Sequence, residues 1–417
     1  MKYKKRSLES KLKLYKENFP CVLISGARQV GKSTLIEHLF SSEAKLFTFD
    51  PLQDLFGEKA DPDLFLQNNP PPLILDEIQY VPQLVPSLKR FVDRHRGPGM
   101  YLITGSQQWE VMRHLSESMA GRIAVLELSA FSLSELTGSA EKPWFAEWLQ
   151  TAVSGRQDEA DQRLLSGKGR TEPLIPQIWK GMFPEVQSIS EQAVSGWMRG
   201  YMATYLQRDV RSFLQVQDER QFALFMGLCA ALSARECNHS QFGREIGLSA
   251  PGAAKWLNVL RGGFQWLEIP AFSNNQIKKL SQRPKGYLTD TGLICHLLRI
   301  PSPEALPANP SFGSVFETFS VLEIVKQIQT LPSLPALYHY RQHSGAEVDL
   351  IVELSGKYFP VEFKAASRVR PADAGGMDIF REKNGDRVGT GLVVYAGEEC
   401  LRLNSQTLAV PIQWFGP

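Results

Sequence analysis

Short apolar runs alternate with amphipathic stretches through the first third of the chain. "CVLIS", "LFTFD", "LILDE", "MYLITGS" and "IAVLEL", between residues 21 and about 140, are nearly continuous in hydrophobicity. Strands read this way when helices cover both faces of a parallel sheet. From about 140 to 215 the pattern turns helical, interrupted by the polar, glycine-containing "SGRQDEADQRLLSGKGRTEP", which reads as a mobile loop. Residues 216 to about 285 are helix-rich again, and "PSPEALPANPS" at 301–311 is a proline-rich connector into a final α/β segment. There "EVDLIVELSGKYFPVEFK" predicts strand, Ser-Gly-Lys turn and strand, followed by a helix at "DIFREKNG" and a strand at "TGLVVYAG".

Composition adds bounds. The 417 residues suffice for two or three domains, and 43% hydrophobic with 22% charged residues is ordinary for a globular protein. A net charge of +2 gives no overall basic field, so any nucleic-acid contact rests on local patches. The basic start "MKYKKRSLESKLKLYK" lacks the apolar centre and cleavage site of a signal peptide. No apolar run approaches the ~18–20 residues that cross a bilayer, so no membrane partner is expected. Five cysteines (Cys21, Cys229, Cys237, Cys295, Cys400) show no C-x-x-C spacing, which argues against a zinc site or a disulfide framework. The expected setting is the reducing cytoplasm.

"GARQVGKST" fits G-x-x-x-x-G-K-[ST] and lies between an apolar strand and the helical "STLIEHLF". Gly26 and Gly31 let successive backbone N–H groups turn around phosphate oxygens, with Ala27, Arg28, Gln29, Val30 and Thr34 completing the nucleotide-binding stretch. Lys32 is placed to reach the β- and γ-phosphates of ATP, Ser33 offers a hydroxyl to Mg2+, and the helix N-terminus favours the anion. "LILDE" ends a strand in Asp76, a magnesium-coordinating candidate, and Glu77, a candidate to polarise water. Thr104 and Ser106 in "YLITGSQ" are placed to report on the γ-phosphate or else to cap the next helix.

Arg122, in "SMAGRIAVLEL", stands just before a strand. Together these residues resemble an AAA-type ATPase. That resemblance implies that Arg122 points into a neighbouring subunit's nucleotide in a ring, such as a hexamer; the alternative is a surface arginine. "GMFPEV", "YMATYLQRDV", "RPKGYLTDTGL", "FETF" and "GAEVDLIVE" then "FPVEFK" extend the resemblance over nearly the whole chain. They are similar to a large prokaryotic family pairing an AAA-type ATPase with a C-terminal domain of unknown function that resembles a restriction-endonuclease core. The fold class implied is α/β, in four parts: a P-loop core (1–140), a helical lid (141–215), a helix-turn-helix or winged-helix segment (216–285) and a PD-(D/E)xK nuclease-like domain (286–417).

"HSQFGREIGLSAPGAAKWLNVLRGGFQWLEI" reads as helix, Gly-Leu-Ser turn, helix and strand, with Ser249 as a cap and Pro251 in the first turn. Lys255 and Asn258 are its candidates for DNA, without the Arg, Asn and Gln cluster that reads bases, so sequence-nonspecific contact is expected. Lys278, Lys279, Arg283 and Lys285 suggest a phosphate-tracking patch or a solvated charge run. In the last domain Asp349, Glu362 and Lys364 fit the nuclease pattern, with Glu317 from the preceding helix. Asp349 and Glu362 would hold Mg2+, or the set would be a salt-bridge network. His339 and His343 read as structural or DNA-edge residues. The expected function is an oligomeric ATPase remodelling DNA, with branched DNA such as Holliday junctions suggested by likeness to the branch-migration motor. The alternatives are a nucleotide-gated switch controlling a nuclease, as in defence, and a regulator with an inert C-terminal domain.

Overall fold

Five apolar runs become five parallel strands: β1 (Cys21–Ser25), β2 (Lys45–Thr48), β3 (Leu73–Asp76), β4 (Tyr101–Gly105) and β5 (Ile123–Glu127). Their order is β2-β3-β4-β1-β5, so the strand after the Asp-Glu pair does run between it and the phosphate-loop strand. β1, β3 and β4 are buried along their whole length, whereas β2 buries only Phe47 and β5 only Ala124 and Leu126. Edge position accounts for the mixed character of those two strands. Helices α1 (Glu9–Asn18), α2 (Lys32–Phe40), α3 (Pro62–Asn68) and α4 (Leu84–His95) accompany the sheet. α4 turns Leu84, Leu88, Phe91 and Val92 into a core with Leu23, Leu75 and Ile103.

The computed structural model describes residues 3–106, 118–141, 143–167, 173–205, 219–273, 282–342 and 345–416. The chain divides into two compact units, the first made of residues 1–131, 183–185 and 260–265, and the second of 132–182, 186–259 and 266–417.

The second unit opens with helices α5 (Leu133–Thr137), α6 (Trp144–Val153), α7 (Gln157–Ser166), α8 (Leu174–Lys180), α9 (Glu191–Tyr205) and α10 (Glu219–Ala231). Strand β6 (Arg235–Glu236), helices α11 (His239–Ile246) and α12 (Ala250–Gly262), and strands β7 (Trp266–Ile269) and β8 (Lys285–Leu288) follow. The order helix, turn, helix, strand is the one read from the sequence. Gly247 leaves α11 with φ 73°, and the Ser249 hydroxyl accepts the Gly252 N–H at 3.1 Å. β6, β8 and β7 form an antiparallel sheet.

Helices α13 (Thr291–Leu297) and α14 (Phe312–Ile328) lead to β9 (Ala336–Arg341), β10 (Glu347–Leu354) and β11 (Lys357–Lys364). Helix α15 (Gly375–Asn384) and strands β12 (Gly391–Tyr395), β13 (Leu401–Asn404) and β14 (Thr407–Pro411) complete the unit. The sheet order is β13-β14-β12-β11-β10-β9, with β11, β12 and β14 parallel and the β9–β10–β11 meander antiparallel. The hairpin predicted at residues 347–364 is present, and so are the helix and strand expected after it.

α14 is buried almost throughout, and two of its polar residues satisfy helix starts. Glu323 accepts the Leu133 N–H at 2.8 Å and Gln327 accepts the Phe145 N–H at 2.9 Å, both orphan donors in first turns. Gly181, from "GMFPEV", has φ 76°, and a Cβ there would fall 2.3 Å from the Asp290 carboxylate. Asp290, from "YLTDTGL", accepts the Met182 N–H at 2.8 Å and the Leu293 N–H at 3.0 Å, so those two motifs meet at a close backbone approach.

One expectation is corrected. Within the stretch read as a mobile loop, residues 157–166 form α7; residues 168–172 lie outside the described residues. Ala160, Asp161 and Leu164 face inward, and a carboxylate at a core position hides the helical period. Asp161 accepts from Trp148 Nε1 at 3.1 Å, Gln157 Nε2 at 2.8 Å and Thr390 Oγ1 at 2.6 Å. Asp161→Ala orphans these donors and should cost about 1–3 kcal/mol. Thermal denaturation should show a clear fall in Tm, and a smaller one for Asp161→Asn, which keeps an acceptor.

Candidate functional site

Parallel strands release the chain at one end of the sheet, and the first site assembles there. The loop after β1 turns at Gly26 with φ 147° and at Gly31 with φ 94°, and Gln29 also has a positive φ of 62°. A Cβ on Gly26 would lie 2.1 Å from the Leu128 carbonyl oxygen, so the loop needs glycine for space as well as conformation. Lys32 is buried and donates from Nζ to the carbonyls of Gly26 at 3.0 Å and Ala27 at 2.8 Å. Arg28 reaches the Tyr80 hydroxyl at 3.3 Å, and Val30 is buried while Thr34 is exposed.

Ser33 Oγ donates to Asp76 Oδ1 at 2.8 Å, which joins the first turn of α2 to the end of β3. Thr104 donates to the same carboxylate oxygen, and the Thr48 hydroxyl approaches the other at 3.4 Å. The Thr104 hydroxyl also accepts the Glu77 N–H at 3.0 Å. Glu77 stands in the left-handed region with φ 60°, a strained conformation for a side chain of its size. Gln79 donates to the Glu77 carboxylate and to Ser106 Oγ at 3.2 Å, and Ser106 lies 3.4 Å from Glu77. Thr104 and Ser106 thus orient the acidic pair. The hydroxyl–carboxylate donor set at the helix N-terminus has the chemistry to hold Mg2+ beside a nucleotide's phosphates.

Two participants escaped the sequence reading. Gln79 sits two residues past the acid it restrains. Arg6 is buried and donates to the Val30 carbonyl at 2.8 Å and the Ser129 carbonyl at 2.6 Å, with its guanidinium 4.8 Å from the Phe131 ring centre. It braces the phosphate loop from behind. It stands in the basic N-terminal stretch, and the signal that sets it apart is Glu9, whose carboxylate accepts the Arg6 N–H at 2.8 Å and pins the segment.

Arg122 is half-exposed, paired with Asp93 of α4 and bonded to the Ala120 carbonyl at 3.1 Å. Its own carbonyl accepts from Cys21 N at the start of β1. It therefore lies at the end of the sheet away from the phosphate loop, about 16 Å along a five-residue strand.

A second cluster forms in the other unit. Lys285 Nζ lies 2.6 Å from Glu317 Oε1, 2.9 Å from Asp349 Oδ1 and 3.6 Å from Glu347, with 5% of its side chain exposed. Tyr287 donates to Glu317 at 2.9 Å, and Asp349 Oδ2 accepts the Phe363 N–H at 3.1 Å. Lys364 pairs with Glu362 Oε1 at 2.9 Å, and Glu362 Oε2 is buried without a hydrogen-bond partner among the described residues. Burial and the Asp349 charge push Glu317 up to about 8 and Glu362 up to about 7. Burial alone would lower Lys285, but Asp349 and Glu317 outweigh it and hold the ammonium above its ordinary range.

Glu317, Asp349, Glu362 and Lys364 thus lie together, and Glu362 and Lys364 pair on the one face that period-2 spacing predicted. The cation shared by the first two is Lys285, which was expected on a DNA-facing patch. That expectation is corrected: β8 turns this lysine inward, where the acids compensate its burial. Among the described residues no group of three or more His, Cys, Asp or Glu side chains is spaced to hold a metal ion. As placed, the donors do not fit Mg2+, and Lys285 occupies one oxygen each of Glu317 and Asp349.

Lys255 and Asn258 are exposed on α12, and Arg283 is exposed. His339 is buried, with Nε2 3.0 Å from the Arg283 carbonyl, a structural role. Lys278, Lys279 and His343 lie outside the described residues. Among the described residues no helix is long and apolar enough to cross a membrane.

Residues 18–137 match a family described as an AAA domain. Residues 171–304 and 312–415 match two domains of unknown function, DUF8612 and DUF4143. With its parallel sheet and phosphate loop, the first unit has an α/β AAA-type P-loop ATPase core. Uncharacterized proteins of Mycobacterium tuberculosis and Mycobacterium bovis are each 28% identical over 416 residues, 99% of this chain and 84% of theirs. Among solved structures, a Walker-type ATPase of Pyrococcus abyssi is similar at 15% identity and a TM-score of 0.38, over 69% of this chain and 94% of that one. The Holliday junction branch migration motor RuvB of Thermotoga maritima is similar at 14% and 0.25, over 66% and 94%.

Arg6→Met removes the brace while leaving every phosphate-facing group in place. ATP should bind about tenfold more weakly, equivalent to ~1.4 kcal/mol. Titration with a fluorescent ATP analogue checks this, and Arg6→Lys should recover only part of the loss because one ammonium does not reproduce the two-pronged guanidinium contact.

Proposed function

We propose that this chain is an Mg2+-dependent ATPase that works as an oligomer on DNA. The observation that carries the ATPase reading is the 2.8 Å bond from Ser33 to Asp76, which brings the phosphate loop and the acidic strand end to one place. In this reading the loop N–H groups and Lys32 bind the phosphates. Ser33 and Asp76 would hold Mg2+, whose charge offsets that of the phosphate oxygens. Glu77, held by Gln79 and Thr104, accepts a proton from the attacking water. Lys32→Ala should abolish ATP binding. Glu77→Gln should bind ATP normally and hydrolyse it at least roughly 10²-fold more slowly, as calorimetry and steady-state phosphate release would show. Equal loss of binding in both would remove Glu77 from the role of base.

Arg122 stands too far from its own phosphate loop to serve it, which supports action on a neighbour's nucleotide in a ring. Its Asp93 pair would then be exchanged at the interface. Arg122→Ala should bind ATP but hydrolyse it poorly, and wild-type activity should rise steeply with protein concentration. Mixing Arg122→Ala with Glu77→Gln should restore some activity where two intact half-sites meet; a fully active Arg122→Ala monomer would sink the ring.

The DNA reading rests on Lys255 and Asn258, exposed on the second helix of the helix-turn-helix. ATPase rates with duplex, single-stranded and four-way-junction DNA test it: stimulation supports a motor on DNA, and identical rates with and without each DNA count against it. A second reading, a nucleotide-gated nuclease, is favoured by the convergence of Glu317, Asp349, Glu362 and Lys364.

A further inference from the structure

We propose that Lys285 is a tethered cation that closes the carboxylate cluster of the second unit to divalent metal. The proposal rests on reading Glu317, Asp349 and Glu362 as a metal-binding set. The Lys285 ammonium takes one oxygen of Glu317 at 2.6 Å and one of Asp349 at 2.9 Å, with Glu347 at 3.6 Å. Mg2+ and similar ions take carboxylate oxygens at roughly 2.0–2.2 Å, so an ion bound to those same two oxygens would overlap the ammonium and repel it. The lysine is fixed from its own strand. β8 is hydrogen-bonded on both sides, by β6 and β7, and Tyr287, two residues on and on the same face, donates to the same Glu317 oxygen.

Lys364 differs in kind. It is one-third exposed and pairs with Glu362, whose second oxygen has no hydrogen-bond partner among the described residues. Charge points the same way. Glu317, Glu347, Asp349 and Glu362 face Lys285 and Lys364, and without Lys285 four carboxylates would face one ammonium. Such a set is compensated most directly by a divalent ion. For a nuclease held in check, Lys285 is the lock, and any rearrangement that withdraws β8 from α14 and β10 opens the metal site.

Mn2+ titration of the intact, nucleotide-free chain tests this, read by the EPR signal of free Mn2+ and by thermal unfolding. Lys285→Met should gain one Mn2+ site, bound at least tenfold more tightly than any Asp349-dependent site in the wild type. Its lowered Tm should recover with Mn2+. The gain should vanish in Lys285→Met/Asp349→Asn, and Lys285→Arg, which keeps the charge, should behave as wild type. Equal, Asp349-dependent binding by wild type and Lys285→Met would overturn the lock while leaving the metal reading intact. A folded Lys285→Met that gains no site would overturn both. Were Lys285→Met not to fold, wild type against Asp349→Asn decides. Equal Mn2+ shifts support the lock, and a shift lost with Asp349 refutes it. DNA cleavage is assayed separately: metal gained without cutting keeps the lock and removes the nuclease.

Discussion

Parallel pairing of β1, β3 and β4 is the constraint from which the first unit's chemistry follows. Because all strands run one way, each delivers the residues just after its last apolar position to the same end of the sheet. Gly26, Asp76 and Thr104 arrive there by register, and the hydrogen bonds among Ser33, Asp76, Thr104 and Glu77 are then short-range consequences. Glu77 in a left-handed conformation is held by the groups around it, an arrangement that restrains a carboxylate at some cost in backbone strain.

Buried charge organises the second unit. α14 reads as an apolar helix, yet it buries Glu323 and Gln327, each used to satisfy another element, and Lys326, which pairs with Glu323. The Lys285 cluster applies the same physics at higher charge. An ammonium and carboxylates inside a protein are tolerable only together, and removing one partner strands the rest. Arg6 in the first unit is a smaller instance, its guanidinium spent on two carbonyls and an aromatic face.

Much of this was legible in the chain. Continuous apolar runs gave the parallel strands because burial on both faces leaves no polar alternation. The glycine spacing gave the phosphate loop because positive φ and close approach exclude other residues there. Period-2 spacing put Glu362 and Lys364 on one face, and the ladder sets Asp349 one residue beyond the Leu350–Val361 pair, opposite Glu362. Less legible was whatever depends on a partner distant in sequence. Asp161 looked like loop because its acceptors' work is done for Trp148 and Thr390. The role of Arg6 was hidden because its acceptors, Val30 and Ser129, are 24 and 123 residues away.

Local sequence determined which segments become strands and helices, where the phosphate loop turns, and which acids end strands, since each follows from backbone sterics and periodic burial within a few residues. Tertiary structure alone decided the environment of each charge. Lys285 carries the same side chain as a DNA-tracking lysine, and only the inward face of β8, with Glu317 and Asp349 brought from 32 and 64 positions along the chain, makes it the centre of a buried ion cluster.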